Sequence, residues 1–193
     1  MRALIAPARW QFTMICAVTL TIAGLTVQAR QATETFAAEA RMKSAGGVSA
    51  TAPVTVTLSG YSSDADRAAL MAALKKGGTA EARLWLQKQG GVGTVQVGKQ
   101  QTPIKYAYAR STGGGRLITV VTAEPIAFIG AGVPDAKQKT GYDLGLVMLD
   151  TMASGAGHGE LVPATKIRVN ADGAIATEDY SGEVVMLSNV TKR

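Results

Sequence analysis

From Val92 onward the hydrophobic pattern changes to a period of two, carried by a series of short runs. Successive side chains of a strand point to opposite faces, so this period predicts a sheet with one buried face. Seven runs carry it: Gly93–Val97, Pro103–Arg110, Arg116–Glu124, Tyr142–Met152, Gly159–Val169, Ala174–Tyr180 and Val184–Val190. Gly113-Gly114-Gly115 reads as the turn of one hairpin and Asn170-Ala171-Asp172-Gly173 as another, a type I turn with Gly173 left-handed. That second turn predicts Val169 opposite Ile175 and Lys166 opposite Glu178, apolar with apolar and charge with counter-charge.

The stretch before Val92 has a different rhythm. Val54-Thr55-Val56-Thr57-Leu58-Ser59 alternates and predicts one strand. Ser63, with Asp66 three residues on, marks a helix start, and Leu70, Met71 and Leu74 give that helix an apolar face. Gly77-Gly78 stops it, Thr79 caps a second helix from Ala80 to Gln89, and Gly90-Gly91 ends that one. The expected architecture is α+β: one strand, a helical hairpin, then a mostly antiparallel curved sheet of about seven strands. The hairpin is expected to cover Tyr106 and Tyr108.

The N-terminal segment reads as an address. Arg2 and Arg9 precede the mostly apolar run from Phe12 to Val27, and Val27-Gln28-Ala29 offers a cleavage site, the layout of a secretory signal peptide. Residues 30–52, rich in Ala, Thr, Ser and Gly, are expected to form a flexible tether, with at most a loose helix from Gln31 to Lys43. Residues 53–193 are then the single α+β domain. The lone Cys16 lies inside the signal, so the exported chain carries no thiol, and no stable membrane span is expected after cleavage.

The run SGYSSDADRAALMAALKKGG (Ser59–Gly78), with YAYAR (Tyr106–Arg110), GGR (Gly114–Arg116), EPI (Glu124–Ile126) and the closing VVMLSNV (Val184–Val190), resembles a group of small exported bacterial proteins of unknown function. The similarity spans Val54 to Val190. It implies one exported domain and no particular chemistry. Similar proteins tend to carry Asp in a TDRPI-like run where this chain has Glu124, which weakens any role built on that turn.

Composition excludes several function classes. One Cys and one His leave no thiolate or His-cluster zinc site and no disulfide framework. The net charge of +6 is inflated by Arg2, Arg9, Arg30, Arg41 and Lys43, and the remaining basic residues are dispersed, so nucleic acid is not an expected partner. Gly93–Gln100 approaches a Walker A loop but puts Gln100 where the Mg²⁺-binding hydroxyl belongs. Arg168–Asp179 approaches an EF-hand loop but opens on a cation. His158, between Ser154 and Glu160, stands among glycines and alanines that give a general base no fixed orientation, and is expected in an exposed loop. Asp64 and Asp66 serve a helix start, and Asp172 a turn.

Tyr106, Tyr108 and Arg110 are expected on one strand face together with Ile104. With Phe128 of the long Pro125–Gly141 loop they are the candidate ligand-binding residues, because paired tyrosines offer flat apolar area with polar tips. The reading that comes first for the same tyrosines is a core beneath the helices, since buried aromatics dominate cores. No catalytic residue, metal ligand or cofactor is assigned. The expected function is an exported, non-catalytic binding or interaction domain of the bacterial cell envelope, periplasmic or secreted, whose partner is an envelope protein, a glycan or a small ligand. Two alternatives stand beside it: an envelope enzyme using carboxylates and tyrosines, for instance on glycans, and a self-associating structural β-domain.

Overall fold

The computed structural model describes residues 32–43, 49–126, 140–180 and 184–193. The segment read as an export signal lies outside them. Nine strands and one helix follow in order: β1 (Glu34–Lys43), β2 (Ser49–Leu58), α1 (Asp64–Gln87), β3 (Gly93–Val97), β4 (Gln100–Thr112), β5 (Gly115–Thr122), β6 (Leu144–Met152), β7 (Ala156–Val169), β8 (Ile175–Tyr180) and β9 (Val185–Lys192).

Each strand from β1 to β7 pairs antiparallel with the next, α1 being inserted between β2 and β3. β9 then enters between β7 and β1 and closes the ring. The result is a closed eight-stranded antiparallel barrel, with β8 folded back as a hairpin on the far half of β7. This corrects the expected strand, helical hairpin and curved sheet of about seven strands, while the antiparallel pairing is as expected. The decisive residues are those read as a tether. Residues 34–43 and 49–52 form β1 and the first part of β2, and they supply the strand that closes the sheet. Within the stretch read as a loose helix, Glu34–Lys43 is strand.

An eight-stranded barrel is just wide enough to be filled by side chains. Here the filling is Phe36, Val54, Val56, Val95, Ile118, Val120, Val147, Leu161 and Leu187 with smaller neighbours. A second core lies outside the wall. Leu70, Leu74, Ala82 and Leu86 of α1 cover Tyr106, Val121, Leu146, Val162 and Ile167. Where the helix lies, β5 and β6 are buried on both faces, which explains their near-continuous apolar runs.

The expected pair of helices is one kinked element. Ser63 caps it with the reciprocal Asp66 bonds, and those bonds hold the Asp66 carboxyl below its usual range. The interruption at Gly77-Gly78 is real, but Gly78, at φ 62° and ψ −148°, only bends the helix. The hydroxyl of Thr79 joins it to β7, accepting from the Ile167 N–H at 2.9 Å and donating to the Ile167 C=O at 3.2 Å. β6 begins opposite Thr165, so this hydroxyl serves the β7 backbone just past the last residue paired with β6.

Bulges coil the wall and set which residues face in. At β4 the register shifts between Ile104 and Tyr106. Ile104 and Ala107 therefore face the barrel interior while Tyr106 and Tyr108 face out, correcting the expectation that Ile104 shares the tyrosines' face. The Asn170–Gly173 turn forms with Gly173 at φ 68° and Val169 opposite Ile175 as expected. A bulge after Lys166 then moves that lysine from Glu178 to Asp179.

Candidate functional site

One end of the barrel gathers polar side chains from four separate parts of the chain. Glu34 begins β1, Tyr61 follows β2, Arg116 lies at the start of β5 and Lys192 at the end of β9. All converge on the Glu34 carboxylate. Tyr61 donates its hydroxyl at 2.5 Å, Lys192 Nζ donates at 2.7 Å, and Arg116 Nη2 reaches both oxygens at 3.1 and 3.3 Å. Burial pushes the Glu34 carboxyl up, but the hydrogen bonds from Lys192, Tyr61 and Arg116 outweigh it and bring its pKa down to about 2. Burial and the neighbouring carboxylate push the Tyr61 phenol above its ordinary range. Glu34 is thus an ionised anchor at neutral pH, unsuited to acid–base turnover there.

Beside this network the barrel opens into a cleft of about 640 Å³. Arg116, Lys192 and Arg193 line it, with Thr151 and the apolar Phe36 and Met152. The frame is rigid where it matters. The Lys192 N–H bonds Gly155 C=O at 3.0 Å, the Arg193 N–H bonds Thr35 C=O at 2.9 Å, and the Thr151 hydroxyl donates to Arg116 C=O at 3.2 Å. At Gly115, on the rim, the strands approach so closely that a Cβ would stand 1.8 Å from Thr151 O. A side chain there would spread the mouth.

No protein-family model, no curated protein and no solved structure matches the chain.

The candidate residues named from the sequence lie elsewhere, on the outer wall. Tyr106, Tyr108 and Arg110 do line one pocket, together with Arg67 of α1 and Ile175. Its volume is about 30 Å³, room for water but not for a sugar ring or peptide. Tyr106 is buried beneath the helix, and that burial pushes its phenol up. Tyr108 stacks on it with ring centroids 6.4 Å apart, donates to Asp64 Oδ1 at 2.9 Å and lies under the Arg67 guanidinium at 5.3 Å. Arg67 also donates to Gly173 C=O at 2.5 Å. These contacts fasten the start of α1 to the wall and to the β7–β8 turn. Phe128 lies outside the described residues.

His158 falls within β7, exposed and opposite Asp150, rather than in a loop. The Walker-like run is β3 and its turn into β4, and the EF-hand-like run is the β7–β8 hairpin. Among the described residues no group of three or more His, Cys, Asp or Glu could hold a metal, and no helix is long and apolar enough to cross a membrane.

Sequence reasoning passed over Glu34, Arg116 and Lys192. A signal for the first was present: Ala38-Glu39-Ala40-Arg41-Met42-Lys43 alternates apolar and charged as strictly as any strand run downstream.

Proposed function

We propose that this chain is an exported, non-catalytic binding domain of the bacterial cell envelope, taking its ligand at the open end of the barrel. The observation that carries the reading is the cleft of about 640 Å³ beside the Glu34–Arg116–Lys192 network, a size within the usual range of small-ligand sites. Export rests on the positive, apolar and small-residue order of residues 1–29, and the envelope setting on the resemblance of Val54–Val190 to small exported bacterial proteins.

The other two readings have less support. A carboxylate-dependent enzyme needs an acid or base that changes protonation near the working pH, and the carboxylate nearest the cleft is held at about 2. Self-association through a strand edge is discouraged by ring closure. The edge at the end of the sheet order is β8, six residues long and carrying exposed Glu178 and Asp179.

A thermal-shift screen of the full chain against envelope sugars, peptidoglycan fragments, metals and small metabolites tests the reading. A ligand at 100 times its dissociation constant adds about 2.7 kcal/mol of stability. A specific shift that Met152→Glu at the rim abolishes supports it, and a flat screen on a cooperatively melting protein contradicts it. Fractionation of cells producing the chain tests export, which predicts an envelope or extracellular product lacking the first 29 residues or so.

A further inference from the structure

The geometry points to a small molecule bearing a carboxylate or phosphate as the ligand of the barrel's open end, its acidic group held by Arg116, Lys192 and Arg193. This inference rests on the binding reading above and names the ligand's chemistry. Among the described residues, three cationic side chains line the cleft and no aspartate or glutamate does. Glu34 is the carboxylate that balances them, through ion pairs to Arg116 at 3.1 Å and Lys192 at 2.7 Å.

The donors are not exhausted by those pairs. A guanidinium carries five N–H donors and an ammonium three. Arg116 reaches Glu34 through Nη2 and also bonds the Tyr61 hydroxyl, and Lys192 makes one bond to Glu34, so of five and three donors both keep N–H groups for a second oxyanion. Arg193 has its backbone fixed to Thr35, while its guanidinium forms no ion pair among the described residues. An arginine fork and an ammonium facing one opening suit a planar carboxylate or a phosphate. Met152, exposed on the same cleft, gives a less polar body somewhere to lie. Glu34 then acts as a built-in counter-ion, keeping Arg116 and Lys192 in place while the cleft is empty and leaving Arg193 as the free charge that a ligand meets.

The test uses the full chain and matched probes at constant ionic strength: benzoate against benzyl alcohol, and glycerol 3-phosphate against glycerol, each by calorimetric titration. Vesicles of phosphatidylglycerol and of phosphatidylcholine form a third arm, read by co-sedimentation. The expected result is binding of an anionic probe with no binding of its neutral twin. Arg193→Gln, which removes no side-chain hydrogen bond or ion pair among the described residues, is expected to weaken binding about tenfold while the melting temperature stays unchanged. Lys192→Gln is expected to weaken it as well, and its melting curve separates that loss from a loss of folding. Binding of soluble probes assigns the anion to a free metabolite, whereas binding of phosphatidylglycerol vesicles alone assigns it to a lipid headgroup. A neutral twin that binds as tightly as its anion, or an Arg193→Gln variant with undiminished affinity, overturns the anion inference and leaves the binding reading standing. Failure of every probe here and of the wider screen overturns both.

Discussion

Glu34 and Lys192 are 158 residues apart in the chain and 2.7 Å apart in the fold. One opens the first strand of the barrel and the other closes the last, so their ion pair lies across the seam where β9 meets β1. Arg116 and Tyr61 join the same carboxylate from β5 and from the segment entering the helix. A single side chain thereby ties together four parts of the barrel mouth, and its protonation is a condition on the mouth's stability.

That condition has a definite pH window. The Glu34 pKa is about 2 in the fold against an ordinary 4.5, so the folded state favours the ionised form. The resulting stabilisation is fully present above about pH 4.5 and is lost as the pH falls toward 2. Glu34→Gln is expected to cost about 1–2 kcal/mol at pH 7, because Arg116 and Lys192 remain partly wetted when their partner is removed. Urea denaturation at pH 7, 4 and 3 checks this. The variant's deficit should shrink with acid, and a deficit that stays constant rules out the electrostatic account.

Gly113 and Gly115 belong to the same glycine run but carry different constraints. A Cβ on Gly113 meets nothing within 4 Å, whereas one on Gly115 lies 1.8 Å from Thr151 O and 2.8 Å from Met152 Cα. Gly113→Ala should stay within about 0.5 kcal/mol of wild type. Gly115→Ala should lose about 2–3 kcal/mol or more, since strand backbones must separate to admit the methyl group. Equal melting temperatures for the two variants would mean that the strands are not packed as closely as described.

The sequence was legible where neighbours in the chain are neighbours in the fold. The Asn170–Gly173 hairpin forms with the expected Val169–Ile175 pairing, because a short turn dictates its own register. The shift of Lys166 to Asp179 was not legible, since a bulge leaves no mark in an alternating pattern. Ring closure was less legible still. β1 carries Ala38 and Ala40 where a long aliphatic residue would have announced a strand, and alanines suit positions in a narrow barrel. Its partner β9 comes at the other end of the chain. The mouth, built from Glu34, Arg116 and Lys192, is a product of closure and could be recognised only after it.

The kink in α1 gives a prediction opposite to helix propensity. In an ordinary helix interior, replacing Gly78 with Ala stabilises by about 1 kcal/mol. Gly78 here has φ 62° and ψ −148°, a region essentially reserved to glycine, so Gly78→Ala should instead cost about 1–3 kcal/mol. Chemical denaturation reads the sign directly, and a stabilised variant would show that the helix runs straight through.

Thr79, the next residue, carries the bonds that attach this helix to β7. Thr79→Val keeps the shape but leaves the Ile167 N–H and C=O without their partner, at an expected cost of about 1–3 kcal/mol. Thr79→Ser keeps the hydroxyl and should recover most of that loss. If serine and valine are equally destabilising, the contribution of Thr79 is its methyl packing.

Tyr106 is accounted for as core beneath α1. Tyr106→Ala should cost about 3–5 kcal/mol, as for other buried aromatics, while Tyr108→Phe removes one exposed bond to Asp64 and should leave the melting temperature nearly unchanged. A Tyr106→Ala variant of wild-type stability would remove the tyrosine from the core and return it to the list of ligand-facing residues.

The barrel mouth exists only if β1 stands between β2 and β9. Hydrogen exchange on the full chain, resolved to individual amides, measures this most directly. The fold predicts that amides within 36–41 are protected to a degree comparable with those of 118–121 in β5, because both segments are paired on two sides. Exchange of 36–41 at the rate of an unstructured peptide, with β5 still protected, would restore the tether and contradict both the closed barrel and the site built on it.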